Sequence, residues 1–322
     1  MTNPLSRLLQ ERDWILADGA TATNLFNMGL TPARPPEFWN AEAPDRVRGL
    51  YQAAVDAGSD LFLTNTFGGN ASRLRLHGAA DRVTELNRLG AQIARDIADS
   101  AGRQVIVAGS MGPTGEIMSP MGNLEHDRAV EMFHEQAQAL KSGGADVLWV
   151  ETFSSLEELR AVAEAALLTG MPWCASMSFE AAGRSMMGVT PAQFAAQAER
   201  LMNPPLAYGA NCGVGVTDLM RSVAAFLAAG SEHPLIAKGN AGIPHVEHGH
   251  IHYDGTPELM AEYAVIARDL GVRIIGGCCG TSPEHLRAMR QALETRPRGP
   301  RPTPDAIAER LHRFDIALDQ ED

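Results

Sequence analysis

Three of the four cysteines in this 322-residue chain lie in glycine-rich surroundings: Cys212 in Asn-Cys-Gly, and Cys278 and Cys279 in Gly-Gly-Cys-Cys-Gly. Four cysteines are too few for a disulfide framework at this length, so metal binding or catalysis is the better reading. Three thiolates are soft ligands suited to Zn²⁺, and three protein ligands leave a fourth position open, as in catalytic sites. A thiol entering that position would lose its proton at neutral pH, whereas a free thiol, with a pKa of about 8.5, is only slightly ionised. Three cysteinates overcompensate the ion's charge and leave the fourth sulfur nucleophilic, a combination suited to attack on a methyl group. The competing readings are three small buried hydrophobes or a vicinal disulfide. Cys174 differs, because it falls inside an apolar run without glycine neighbours and reads as core.

The elements that must position these thiols recur along the chain. Eight short apolar runs, each followed by a segment with helical spacing, cover 14–18, 60–65, 105–110, 146–151, 172–178, 206–212, 235–240 and 272–279. Between them, stretches such as the one carrying Leu86, Leu89, Ile93 and Ile97 put their apolar residues on one helical face. Strand-then-helix alternation of this kind predicts an α/β fold, a (β/α)₈ TIM barrel over residues 1–295, better than a doubly wound sheet, since the pair Gly213 and Gly215 lacks a third glycine. Residues 296–304, rich in proline, read as a linker, and Ala306 to Leu318 as an amphipathic helix that packs on the barrel or on another subunit.

In such a barrel the site is built where strands end. The predicted strand ends are Asp18, Asn65, Ser110, Glu151, Ser178, Cys212, Asn240 and the Cys278–Cys279 pair, more polar than core packing selects. Adjacent strand residues point to opposite faces, so Cys278 and Cys279 share an ion only if the chain leaves strand geometry, for which Gly276, Gly277 and Gly280 supply freedom.

The net charge of −12 argues against nucleic acid and anionic membranes as partners. No apolar run reaches the roughly 18 residues of a membrane helix and no signal peptide opens the chain, so a cytoplasmic location is expected.

Taken together and in order, Asp18-Gly-Ala-Thr-Ala-Thr-Asn24, Thr64-Asn-Thr-Phe67, Gly112-Pro-Thr-Gly115, Glu151-Thr-Phe153, Asn211-Cys-Gly213, Gly239-Asn-Ala-Gly242, Tyr253 with Thr256-Pro257-Glu258, and Gly276-Gly-Cys-Cys-Gly-Thr281 give the chain its resemblance to a known family. From about Trp14 to His285 it resembles the zinc-dependent homocysteine S-methyltransferases, which include betaine-homocysteine methyltransferase and the first module of cobalamin-dependent methionine synthase. The resemblance implies that Cys212, Cys278 and Cys279 hold zinc, that Asp18 and Glu151 face the amino group of homocysteine, and that the amides of Gly19 and Ala20 receive its carboxylate. It also implies that Asn240 can take the fourth zinc position when substrate is absent. Two departures stand out: Ala22 where many relatives have glycine, and Lys238-Gly239 where a proline commonly precedes the asparagine.

The methyl donor stays open among a quaternary ammonium such as glycine betaine, a sulfonium such as S-methylmethionine, and a methylated corrinoid protein. A quaternary ammonium wants aromatic faces. Trp39, Phe67 and Phe153 follow the first, second and fourth runs and are the donor-side candidates, while Thr152 beside Glu151 weakens the betaine case. A hydrolytic zinc barrel is the alternative outside this class, disfavoured because such sites recruit histidine and carboxylate ligands. His245, His248, His250 and His252 read as a solvated loop near the donor entrance.

Overall fold

The computed structural model describes residues 3–31, 33–180, 182–247 and 250–318. Its strands are β1 (Ile15–Leu16), β2 (Leu61–Leu63), β3 (Ile106–Met111), β4 (Val147–Phe153), β5 (Trp173–Met177), β6 (Tyr208–Cys212), β7 (Leu235–Gly239), a hairpin of β8 (Pro244–Glu247) and β9 (His250–Tyr253), and β10 (Ile274–Gly277). All but the hairpin form one parallel sheet in the order β1-β10-β7-β6-β5-β4-β3-β2, and a bridge from Ala17 to Leu61 joins its two ends. The result is the expected (β/α)₈ barrel.

Parallel strands covered by helices must be apolar on both faces. Accordingly every residue of β3 is buried. The helix Val83–Ser100 buries Leu86, Ile93 and Ile97, as their spacing predicts, while Leu89 of the same set is only partly buried. Helix ends carry their own stop signals. The Thr256 hydroxyl accepts the Leu259 amide at the start of Pro257–Leu270, and Gly271, at φ 103°, closes it.

The N-terminal helix Pro4–Glu11 plugs one end of the barrel. Leu5 and Leu8 pack with Ile15, Ile106, Trp149 and Cys174, and the Asn3 side chain donates to the Asp146 carbonyl at the start of β4. Cys174 is thus a core residue, and the opposite rim, where the strands end, is left for chemistry.

At the other terminus, the buried Arg268 guanidinium donates to the carbonyls of Arg296 at 2.7 Å and Pro297 at 2.9 Å, fixing the proline-rich stretch. The helix Pro304–Leu318 then lays Ile307 and Leu311 against the barrel helices. Glu262 pairs with Arg296 at 2.6 Å and Arg310 at 2.7 Å. Of the two seats open to this helix, it occupies the one on its own barrel. No helix among the described residues is long and apolar enough to cross a membrane.

Candidate active site

β6 and β10 end level with each other, because Cys212 and Gly277 are both in register with Gly239 on the strand between them. This brings the cysteines together: Cys212 Sγ lies 3.1 Å from Cys278 Sγ and 3.7 Å from Cys279 Sγ. All three sulfurs fall within 4.8 Å of one another, and among the described residues they are the one His, Cys, Asp or Glu group placed to share an ion. Tetrahedral zinc with Zn–S bonds of about 2.3 Å requires sulfurs about 3.8 Å apart, so the trio fits that ion with small adjustment. Its electrostatics agree. Hydrogen bonds from Cys212 and Cys278 hold the Cys279 thiol below its usual range, while hydrogen bonding to the neighbouring sulfurs and burial push Cys212 up. One ionised sulfur therefore suppresses the next, and the three ionise together only around a cation.

The chain leaves strand geometry at Cys278, and of the three glycines it is Gly280, at φ 75°, that supplies the freedom. Gly276 and Gly277 stay paired with Lys238 and Gly239. Gly277 is required by close approach, since a Cβ there would lie 2.3 Å from the Thr281 side chain. The left-handed residues other than glycine are Cys212, at φ 59°, and Thr152, at φ 62°, beside the irregularity in β4. Each such conformation in a non-glycine residue costs of order 1–3 kcal/mol and must be held by its surroundings.

Asparagines do the holding. Asn211 Oδ1 accepts the Thr152 amide at 2.9 Å and its Nδ2 donates to Thr152 Oγ1 at 2.8 Å. Asn240 Oδ1 accepts the Cys279 amide at 3.1 Å and its Nδ2 donates to the Gly213 carbonyl at 2.9 Å, so its side chain braces the two cysteine loops against each other. The Tyr253 hydroxyl, brought in by the hairpin, donates to the Cys279 sulfur and helps hold its charge.

Glu151 and Lys238 line the same cavity of about 530 Å³ as the three cysteines. Glu151 accepts the Ser110 hydroxyl at 2.7 Å, and burial pushes its carboxyl up to about 7 despite the nearby Lys238 ammonium. Asp18 does not line that cavity. Its Oδ1 accepts Lys238 Nζ at 2.6 Å and its Oδ2 the Leu63 amide at 2.8 Å, so both oxygens are engaged from inside the barrel. The Ala20 amide is also engaged, donating to the Thr281 carbonyl at 3.0 Å. Asp18 and the Ala20 amide are thus paired within the protein, although Ala20 itself lines the cavity. Gly19 lines the cavity, and a Cβ on it would meet the Thr281 oxygen at 2.5 Å.

The donor-side candidates separate. Phe67 lines the cavity, joined by Phe26. Trp39 does not: it is buried among the packing residues, with the Arg46 guanidinium 4.9 Å from its ring centre. Phe153 is fully buried against Phe133, ring centres 5.7 Å apart. Sequence reasoning missed Glu37, a buried carboxylate of the first loop that faces the cavity and accepts the Gly68 amide at 2.6 Å. Arg34 and Arg73 stand on the same side. On the hairpin, His245 and His252 pair across the strands, with ring centres 6.0 Å apart. His248 and the side chain of His250 lie outside the described residues.

A model of the homocysteine S-methyltransferase family matches residues 15–293. Among curated proteins, the chain is 31% identical over 295 residues to methionine synthase of Mycobacterium tuberculosis, covering 87% of this chain and 24% of that one. It is 30% identical over 308 residues to methionine synthase of Mycobacterium leprae, covering 89% and 25%. The chain thus spans about a quarter of the length of the curated relatives it matches. Among solved structures, the metallated form of the Escherichia coli homocysteine methyltransferase MmuM superposes with a TM-score of 0.75 at 23% identity, covering 90% of this chain and 99% of that one. The carboxyl transferase domain of Rhizobium etli pyruvate carboxylase shares the barrel more loosely, with a TM-score of 0.54 at 15% identity over 98% of this chain and 49% of that one.

Proposed function

The chain belongs to the homocysteine S-methyltransferase family, and on that premise we propose that it methylates the sulfur of homocysteine, forming methionine, with zinc at Cys212, Cys278 and Cys279. The observation that carries this reading is the meeting of three thiols within 4.8 Å at the barrel rim, in one cavity with Glu151. When bound, zinc would supply the positive charge that lets an acceptor thiol give up its proton near neutral pH.

The chain's own residues do the positioning. Ionised Glu151, oriented by Ser110, faces the acceptor's ammonium, and the Gly19 backbone supplies the close approach beside it. Asn240 and Asn211 keep the cysteine loops in place. The acceptor sulfur forms a bond to the methyl carbon as the donor's leaving atom departs in line with the bonding pair, and the thiol proton passes to solvent. Holding the two reactants in this alignment is the main catalytic contribution.

The outer cavity supports a small onium donor that carries a carboxylate, of the glycine betaine or S-methylmethionine type. Glu37 and the faces of Phe26 and Phe67 suit the cationic centre, and Arg34 and Arg73 suit the carboxylate. One observation favours a second reading, in which a separate methyl-corrinoid protein delivers the methyl group: the two mycobacterial relatives are methionine synthases about four times the length of this chain. A hydrolytic zinc barrel fits worse, because water held by three thiolates is a poor acid. Measuring methionine formation from homocysteine with each purified donor decides among them. Methionine from an onium compound alone supports the first reading, and methionine only with the corrinoid protein supports the second.

A further inference from the structure

Lys238 is a lysine inside the barrel. Its side chain is 2% exposed, and Nζ sits 2.6 Å from Asp18 Oδ1 and 5.8 Å from the centre of the Trp149 ring. An ammonium has three donors. Asp18 takes one, the Trp149 face covers a second direction, and among the described residues Lys238 forms no other hydrogen bond. Buried donors left without acceptors are costly, more so on a charged group. The side chain lines the cavity together with Glu151 and Cys278, so an acceptor for the spare donors can come from that side.

Its effect on the site is to separate the charges. Asp18 is screened from the cavity by the ammonium it binds. What the cavity sees is one carboxylate, Glu151, and one ammonium, Lys238. A zwitterion is the complement of that pair. The Ala20 amide, spent on Thr281, also leaves an incoming carboxylate in need of another partner.

We propose that Lys238 is a specificity-determining residue that binds the carboxylate of the acceptor thiol while Glu151 binds its ammonium. The inference rests on the reading of the chain as a homocysteine methyltransferase and goes beyond it by assigning the side chain that holds the acceptor's carboxylate. The opposite arrangement has the lysine merely take the place of the substrate's ammonium between the two carboxylates. The two make contrary forecasts.

The test is isothermal titration of the zinc-loaded 322-residue chain with homocysteine, with 4-mercaptobutanoate, which lacks the amino group, and with 3-aminopropanethiol, which lacks the carboxylate. Lys238→Met is expected to weaken the first two by about tenfold or more, the scale of a hydrogen bond to a charged group, and to leave the third nearly unchanged. Lys238→Arg is expected to keep part of the preference for carboxylates. Because Lys238→Met leaves Asp18 buried without its partner, the double variant Asp18→Asn, Lys238→Met removes both charges and is read in the same way, with circular dichroism reporting the fold. Equal loss for all three thiols, or tighter homocysteine binding by the variants, overturns the assignment. A wild-type chain that binds none of them overturns the acceptor reading and this inference with it, whereas thiol binding indifferent to Lys238 overturns the inference alone.

Discussion

Asn211 clamps Thr152 from both ends, accepting its amide at 2.9 Å and donating to its hydroxyl at 2.8 Å, and so joins the two left-handed non-glycine residues of the site across the end of β5, which lies between their strands. Asn211 immediately precedes Cys212, and Thr152 immediately follows Glu151. One amide group therefore sets the position of both a thiol and the Glu151 carboxylate. Asn211→Ala is expected to cost about 1–3 kcal/mol of stability in urea unfolding. It should also lower kcat/KM for homocysteine by about tenfold, with the donor KM unchanged. A variant of wild-type activity would show that the clamp is not needed to align the site.

The pH dependence follows from Glu151. Burial raises its carboxyl from an ordinary value of 4.5 to about 7. The protonated form has no charge to offer an ammonium, so acceptor KM should rise as pH falls from 8 to 6, with a midpoint of about 7. The same raised value contributes stability that is fully present below 4.5 and is lost as pH rises through about 7. Glu151→Gln should flatten the KM profile and raise KM at pH 8 by about tenfold while leaving zinc content intact. A profile that keeps its inflection in this variant assigns the titration to another group.

On the donor side, Glu37→Gln removes the charge that faces the cavity. For an onium donor its KM should rise about tenfold with the acceptor KM unmoved. Phe67→Leu should raise donor KM a few fold, by loss of the aromatic face. Trp39→Phe and Phe153→Leu should leave donor KM within about twofold, because neither ring reaches the cavity, and their effect is read in thermal unfolding instead. An effect of Trp39→Phe confined to the donor KM would argue against this placement.

The barrel was legible because eight apolar runs alternate with helical spacing, a pattern that local chemistry alone produces. The thiols were legible because cysteines set among glycines at strand ends gain little from core packing, whereas a shared ion uses all of them. Pairings that span the chain were not. Lys238 and Asp18 are 220 residues apart, and nothing in Lys238-Gly239 announces the partner 2.6 Å away. Knowing which residues follow a strand also does not say which way they turn. Phe153, two residues beyond Glu151, lies past the irregularity in β4 and is directed toward Phe133 in the helix layer. Glu37 and Tyr253 come from the first loop and the hairpin, where no periodicity points a side chain inward.

Every step proposed above depends on a metal centre of three cysteine sulfurs with room for the acceptor's own. X-ray absorption at the zinc edge, on reduced protein before and after homocysteine is added, reads that centre itself. Stoichiometric zinc with three sulfur neighbours that become four is the expected result, together with loss of that zinc in a folded Cys279→Ser variant. Protein that binds no stoichiometric zinc, or a sulfur count unchanged by homocysteine, would refute it.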